Sequence, residues 1–213
     1  MLTISEIFHS IQGESTYAGA PCVLVRLAGC DLRCVWCDTP YAFTGGRRME
    51  VAEVVGAVEA FGCALVEITG GEPLLQQDVY PLMAALRGRG MTVLLETGGH
   101  VSVERVPPGV VKILDVKCPA SGESAKNHWP NLDRLGPADQ VKFVVSDRAD
   151  YEFARQVTAR HALAARCAAV LFSPVHSALA PDDLAAWILA DRLPVRLQLQ
   201  VHKFIWGAHA RGV

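Results

Sequence analysis

The chain alternates short apolar runs with longer stretches in which apolar and polar residues mix. Seven runs rich in Val, Ile and Leu read as strands: 21–27 (PCVLVRL), 64–69 (ALVEIT), 92–97 (TVLLET), 110–116 (VVKILDV), 140–145 (QVKFVV), 168–173 (AAVLFS) and 195–201 (VRLQLQV). Most are nearly continuous in apolar residues, the pattern of parallel strands covered on both faces. Helical patterns occupy 49–62, 78–90, 148–163 and 181–191, the last opening with Pro181 and two acids. Strand then helix, repeated, predicts a parallel sheet with right-handed crossovers. Two connections break the pattern. Residues 98–109 (GGHVSVERVPPG) are too short and too rich in Gly and Pro for a crossover helix, and 117–139 is mostly turn-forming. The expected fold is α/β: a reduced, open (partial) β/α barrel of about six to seven mainly parallel strands with few crossover helices. A single domain spanning 1–213 is expected.

Composition narrows the partners. With 51% hydrophobic and 20% charged residues and a net charge of -2, the sequence is that of an ordinary globular protein. Neither nucleic acid nor a membrane is an expected partner. The N-terminus, MLTISEIFHSIQGE, lacks the basic and apolar regions of a signal peptide, so the expected compartment is cytoplasmic. Thiols stay reduced there, so a cysteine cluster reads as metal-binding or catalytic before it reads as a disulfide framework.

Such a cluster is present. Cys30, Cys34 and Cys37 are spaced C-x3-C-x2-C, while Cys22, Cys63, Cys118 and Cys167 stand alone. A structural zinc site wants four ligands, usually two short pairs. Three thiolates on a cubane iron–sulfur cluster leave one iron with an open position. A zinc site completed by a distant residue, within a zinc-stabilised non-catalytic binding module, is the alternative. The residues just beyond each strand collect the remaining chemistry: 29–37, TGGEP (69–73), ETGG (96–99), DVKCP (115–119), VSD (145–147), SPVH (173–176) and HKFIWG (202–207). In parallel β/α folds these ends form the functional face.

The cysteine spacing, with Trp36 before the last cysteine and TGGEP after the second strand, resembles the radical S-adenosylmethionine superfamily. SIQGES (10–15), VRLAGCDLRCVWCDT (25–39), LLETGG (94–99) and QVHKFIWG (200–207) are similar to the 7-carboxy-7-deazaguanine synthase family of queuosine (7-deazapurine) biosynthesis. That resemblance implies a lyase using a [4Fe-4S] cluster, S-adenosyl-L-methionine and Mg²⁺. It implies conversion of 6-carboxy-5,6,7,8-tetrahydropterin by hydrogen abstraction at C6, ring contraction and ammonia loss. A homodimer and an external electron donor such as flavodoxin are implied as well. A glycyl-radical-enzyme activating protein shares the cysteine motif and is the rival within enzymes.

By the same resemblance Cys30, Cys34 and Cys37 ligate the cluster. Trp36, Cys37, Asp38, Gly99, Ser146, Asp147 and Arg148 line the S-adenosylmethionine site, and Gly70, Gly71 and Glu72 bind its amino group. Ile11, Gln12, Gly13, Arg26 and Thr97 contact the substrate, and Thr39 binds magnesium. Side-chain chemistry agrees at several positions. Arg26 ends the first strand and suits a carboxylate as a bidentate fork. Glu14 suits a 2-amino-pyrimidinone edge beside the Gln12 amide. Asp38 and Thr39 offer the hard oxygens that Mg²⁺ prefers, or a helix cap. His202, with Lys203, is placed at the end of the last strand on the substrate side.

Overall fold

A computed structural model describes residues 1–208 and 210–213. Its sixteen strands and α-helices run β1 (Leu2–Ile11), β2 (Pro21–Leu27), β3 (Arg47–Met49), α1 (Val51–Glu59), β4 (Leu65–Gly70), α2 (Val79–Gly88), β5 (Thr92–Thr97), β6 (Val111–Asp115), α3 (Pro130–Asp133), β7 (Gln140–Val145), α4 (Arg148–Arg160), α5 (Leu163–Arg166), β8 (Ala169–Pro174), α6 (Pro181–Ala190), β9 (Arg196–Leu197) and α7 (Val201–Trp206). One sheet holds all nine strands in the order β3-β1-β2-β4-β5-β6-β7-β8-β9. Each pair from β2–β4 through β8–β9 is parallel, whereas β1 pairs antiparallel with both β2 and β3. The sheet is open, with β3 and β9 at its two edges.

The expected barrel fragment is therefore present, with three differences. Two antiparallel strands, β1 and β3, extend the sheet beyond the first parallel strand. The expected strand 195–201 shrinks to Arg196–Leu197, and the chain then turns into α7. It leaves the sheet because Val201 N–H donates to Gly13 O at 2.9 Å, docking the C-terminal segment on the IQGE loop. His202 and Lys203 consequently sit on a short helix, not at a strand end. The two connections lacking a long helix in sequence lack one in the structure: none joins β5 to β6, and only the four-residue α3 lies between β6 and β7.

Alternation along the strands gives the sheet two unlike faces. On the convex face Val23, Val25, Val66, Ile68, Val93, Leu95, Val141 and Phe143 are fully buried, in one core with apolar side chains of α1, α2, α4 and α6. Fully burying such a side chain is worth about 1.5–3 kcal/mol, so this face supplies most of the cohesion. The other face is covered by no long helix; only the six-residue α7 lies over it. Near the strand starts it carries a small apolar plug, Leu94, Val111 and Ile113, with Tyr17 and Leu65 against it. Beyond the plug the same face turns charged, and the site lies there.

Candidate active site

A cavity of about 640 Å³ opens on the inner face, a size suited to a small organic ligand. Its floor and walls come from every second residue of successive strands: Glu6 and Phe8 on β1, Leu24 and Arg26 on β2, Glu67 and Thr69 on β4, Glu96 on β5, Asp115 on β6, and Lys142 and Val144 on β7. The loop after β2 adds Cys30, Cys34, Trp36, Cys37, Asp38 and Thr39. The other cysteines do not line it. The three thiols thus share one wall, each half-buried, and burial pushes each of them up as a free thiol. Lys117 lies close enough to Cys34 to favour its thiolate. Among the described residues, no three His, Cys, Asp or Glu side chains converge as a single ion would require. The donor set is three thiols spread along one loop, which fits a cluster with several metal corners better than one zinc ion.

The loop is held against the TGGEP turn by backbone. Gly71 N–H donates to Leu27 O at 3.0 Å and Glu72 N–H to Gly29 O at 2.8 Å. A Cβ on Gly71 would stand 2.1 Å from Gly29 O and 2.9 Å from Cys30 Cβ, so only glycine lets the two turns touch. Gly70 and Gly71 present backbone to the cavity beside Cys30. Glu72 does not. Its carboxylate is fully buried and accepts from Leu74 N–H (3.0 Å), Thr97 Oγ1 (2.8 Å) and Gly98 N–H (2.8 Å). In this arrangement the Glu72 side chain braces the turn from behind, and the Gly70–Gly71 backbone is what faces the cavity. Thr97 lines the cavity, but its hydroxyl is already committed to Glu72.

Gly99 and the 146–148 stretch stand apart from this wall. Gly98, not Gly99, lines the cavity; Gly99 is buried at φ 74, tucked against Asp115 O. Ser146, Asp147 and Arg148 are absent from the cavity wall. Asp147 caps α4 by accepting from Asp150 N–H, Ser146 donates to Asp150, and Arg148 pairs with Glu152. Their polar groups are spent on starting a helix. Ile11, Gln12, Gly13, Glu14, Arg26 and His202 all line the cavity.

The IQGE loop and the C-terminal segment, far apart in sequence, interlock. A Cβ on Gly13 would stand 2.0 Å from His202 Nδ1, so the close approach needs glycine. Gln200 Nε2 donates to Glu14 Oε1 at 2.7 Å, and Lys203 Nζ donates to Gln200 Oε1 at 2.6 Å. Lys203 also pairs with Asp38 at 3.2 Å, and Thr39 Oγ1 donates to Asp38 Oδ1 at 2.9 Å. Burial opposes the Asp38 charge, but Lys203 and the Thr39 hydroxyl outweigh it and lower the carboxyl.

Beneath these loops lies a charge cluster. Lys142 Nζ donates to Glu14 Oε2 at 2.7 Å and to Glu96 Oε1, and Lys117 Nζ to Asp115 Oδ2 at 2.7 Å. Burial disfavours the Lys142 ammonium, yet Glu14, Glu96 and Asp115 raise it well above its ordinary value. Burial likewise opposes the charge on Glu14, and Lys142 with Gln200 overrides it and lowers the carboxyl. Arg26 is oriented by Glu6, which accepts from Arg26 Nε at 2.7 Å and from the Tyr41 hydroxyl at 2.8 Å. Among the described residues, the Arg26 Nη donors have no protein acceptor, leaving a fork on the cavity wall. Sequence reasoning named none of Glu6, Glu67, Tyr41 and Lys142. The available signal was a single charged residue interrupting an apolar strand, as in VEIT, LLET, ILDV and VKFV.

Comparison with known proteins agrees with this geometry. The radical SAM superfamily pattern matches residues 24–114. A 7-carboxy-7-deazaguanine synthase from Koribacter versatilis is 50% identical over 226 residues, covering 100% of both chains. Its counterparts from Chlorobaculum tepidum (49% identical, 100% of this chain and 97% of that one) and Methanospirillum hungatei (42%, 96% and 85%) are similar throughout as well. In fold the chain is similar to the crystal structure of QueE from Escherichia coli, with a TM-score of 0.78 at 23% identity over 94% of each chain. From its cysteine loop to its C-terminal helix, the chain belongs to the 7-carboxy-7-deazaguanine synthase family of radical S-adenosylmethionine enzymes.

Proposed function

We propose that the protein converts 6-carboxy-5,6,7,8-tetrahydropterin to 7-carboxy-7-deazaguanine in the inner-face cavity, by hydrogen abstraction at C6, ring contraction and loss of ammonia. One observation carries the reading. The three thiols, the Gly70–Gly71 backbone and the free fork of Arg26 all face one cavity of about 640 Å³. When bound, the [4Fe-4S] cluster and S-adenosylmethionine supply the one-electron reductive cleavage and the carbon radical that takes hydrogen from the substrate.

The chain's own residues bind and orient. Cys30, Cys34 and Cys37 would hold the cluster, with Trp36 and Asp38 beside S-adenosylmethionine. Arg26, fixed by Glu6 and Tyr41, takes the substrate carboxylate as a bidentate pair. Thr39 and Asp38 at the cavity mouth offer oxygens for Mg²⁺. Gln12, Glu14 and His202 meet the ring system. Lys142 bridges Glu14 and Glu96 and offsets part of their charge, so the anionic substrate does not face two bare carboxylates. Gln200, His202 and the C-terminal residues line the mouth, an enclosure that favours a small molecule over the large partner an activating protein must admit.

The remaining proposals concern context: a single domain working in the cytoplasm, reduced by an external donor such as flavodoxin, as a homodimer. Exposed Leu189, Leu197, Phe204 and Ile205 on the elements at the β9 edge favour pairing with a second copy. The function is tested by anaerobic incubation with carboxytetrahydropterin, S-adenosylmethionine, Mg²⁺ and dithionite. Formation of 7-carboxy-7-deazaguanine with release of ammonia is expected. Cofactor cleavage without that product would overturn the reading.

A further inference from the structure

Among the described residues, Glu67 is the one acid on the cavity floor with no cation bound to it. It stands on β4, 4% exposed, and lines the cavity. Gln12 Nε2 donates to its Oε2, while Gln12 Oε1 accepts from Glu14 N–H at 3.0 Å, which fixes the amide's orientation. Among the described residues, Glu67 Oε1 has no protein partner and is not sealed off from the cavity. The groups facing it are Glu96 from β5, Glu14 from the IQGE loop, Lys142 from β7 and Cys22 from β2. Lys142 is already shared by Glu14 and Glu96. Burial first, then Glu96 and Glu14, push the Glu67 carboxyl up to about 8. With Oε2 accepting from Gln12, Oε1 is the oxygen left to carry a proton when the carboxyl is neutral, on a residue that lines the cavity.

Depth identifies what it meets. Arg26 pairs in register with Thr69, and Leu24 with Glu67, so Glu67 lies two residues deeper than Arg26. That is about 6.5 Å along a strand, close to the length of a fused bicycle. A pterin with its carboxylate on Arg26 therefore reaches the floor with its pyrimidine ring. We propose that Glu67 is a specificity-determining residue that donates an O–H hydrogen bond to the 4-oxo oxygen of the substrate's pyrimidine ring. It selects a 4-oxo pterin over a 4-amino one, because an amino group would set donor against donor. The inference rests on the function proposed above and adds the residue that reads this edge.

The test is anaerobic titration calorimetry on cluster-loaded protein with S-adenosylmethionine and no reductant, so that binding is read without turnover. The probes are 6-carboxytetrahydropterin and its 2,4-diamino analogue. Wild type at pH 7 should prefer the 4-oxo compound by roughly tenfold to a hundredfold. Glu67→Val should lose most of that preference. Glu67→Gln, which keeps an N–H donor and a carbonyl acceptor, should retain it from pH 6 to 9, whereas wild type should lose it above about pH 8. If Glu67→Val fails to fold, the pH comparison of Glu67→Gln with wild type decides. An unchanged preference in Glu67→Val, or the same pH profile in Glu67→Gln and wild type, would overturn the Glu67 assignment alone. If wild type bound neither pterin, the functional reading itself would fall.

Discussion

The two faces of the sheet are built from the same strands and obey opposite rules. On the convex face, Val66 and Ile68 of β4 are completely buried against helices, within a face that is mostly apolar. On the inner face of the same strand, Glu67 and Thr69 are also buried, but as polar groups around a cavity. Burial alone therefore does not distinguish core from site. What differs is the covering: helices seal one face, whereas loops and the C-terminal segment roof the other. An open half-barrel keeps its cohesion on one side and can place carboxylates and a lysine on the other. Isolated, each such charge would be costly; clustered, Lys142 is offset by Glu14 and Glu96.

The comparison can be broken from either side. The largest effect belongs to the thiols. Cys30→Ala, Cys34→Ala and Cys37→Ala should each abolish turnover and remove most iron from anaerobically reconstituted protein. Cys22→Ala, Cys63→Ala and Cys167→Ala, outside the cavity, should keep near-normal iron by the same assay. Next, Lys142→Met strands Glu14 and Glu96 without their shared cation, and should cost about 3–5 kcal/mol in urea unfolding. A loss under 1 kcal/mol would mean that those carboxylates do not need it. Ile68→Ala on the convex face should cost about 2–4 kcal/mol with little change in KM, because it opens a void in the core and leaves the cavity intact.

A fourth prediction concerns pH. The folded Glu67 carboxyl titrates near 8, above its unfolded value of 4.5, so the folded state holds a proton that the unfolded state has released. Its contribution to stability therefore falls as pH rises from about 4.5 to about 8, then levels off. Glu67→Gln should flatten the Tm profile over that window, read by thermal unfolding in a pH series. The smallest effect is expected at Arg148. Its pairing with Glu152 is surface-exposed and outside the cavity, so Arg148→Ala should change S-adenosylmethionine affinity by less than about twofold.

Much of this was legible in sequence, for physical reasons. β2, β5 and β7 fall where their apolar runs do, because buried parallel strands carry continuous Val, Ile and Leu. The cysteine loop and the TGGEP turn were legible because ligand spacing and glycine-only contacts are local. β1 was passed over because its antiparallel pairing with β2 is a long-range choice, and the short edge strand β3 carries almost no signal. The strand forecast for 195–201 failed because Gly13, far away in sequence, draws Val201 out of the sheet. The bracing by Glu72 is hidden for a related reason: a motif fixes where a residue sits, but only the fold shows that Thr97 and Gly98 occupy its carboxylate. Glu67 and Lys142 were missed because a lone charge in a buried strand has no partner visible nearby in the chain.

The central claim is that the inner-face cavity binds the substrate through Arg26, apart from the cluster wall. Arg26→Ala tests it most directly, by comparing KM for carboxytetrahydropterin with the rate of S-adenosylmethionine cleavage in the absence of substrate. The account predicts a KM raised about tenfold or more, at about 1.4 kcal/mol per decade, with substrate-free cleavage nearly unchanged. Lost cleavage with unaltered pterin affinity would contradict it, and would place the substrate elsewhere.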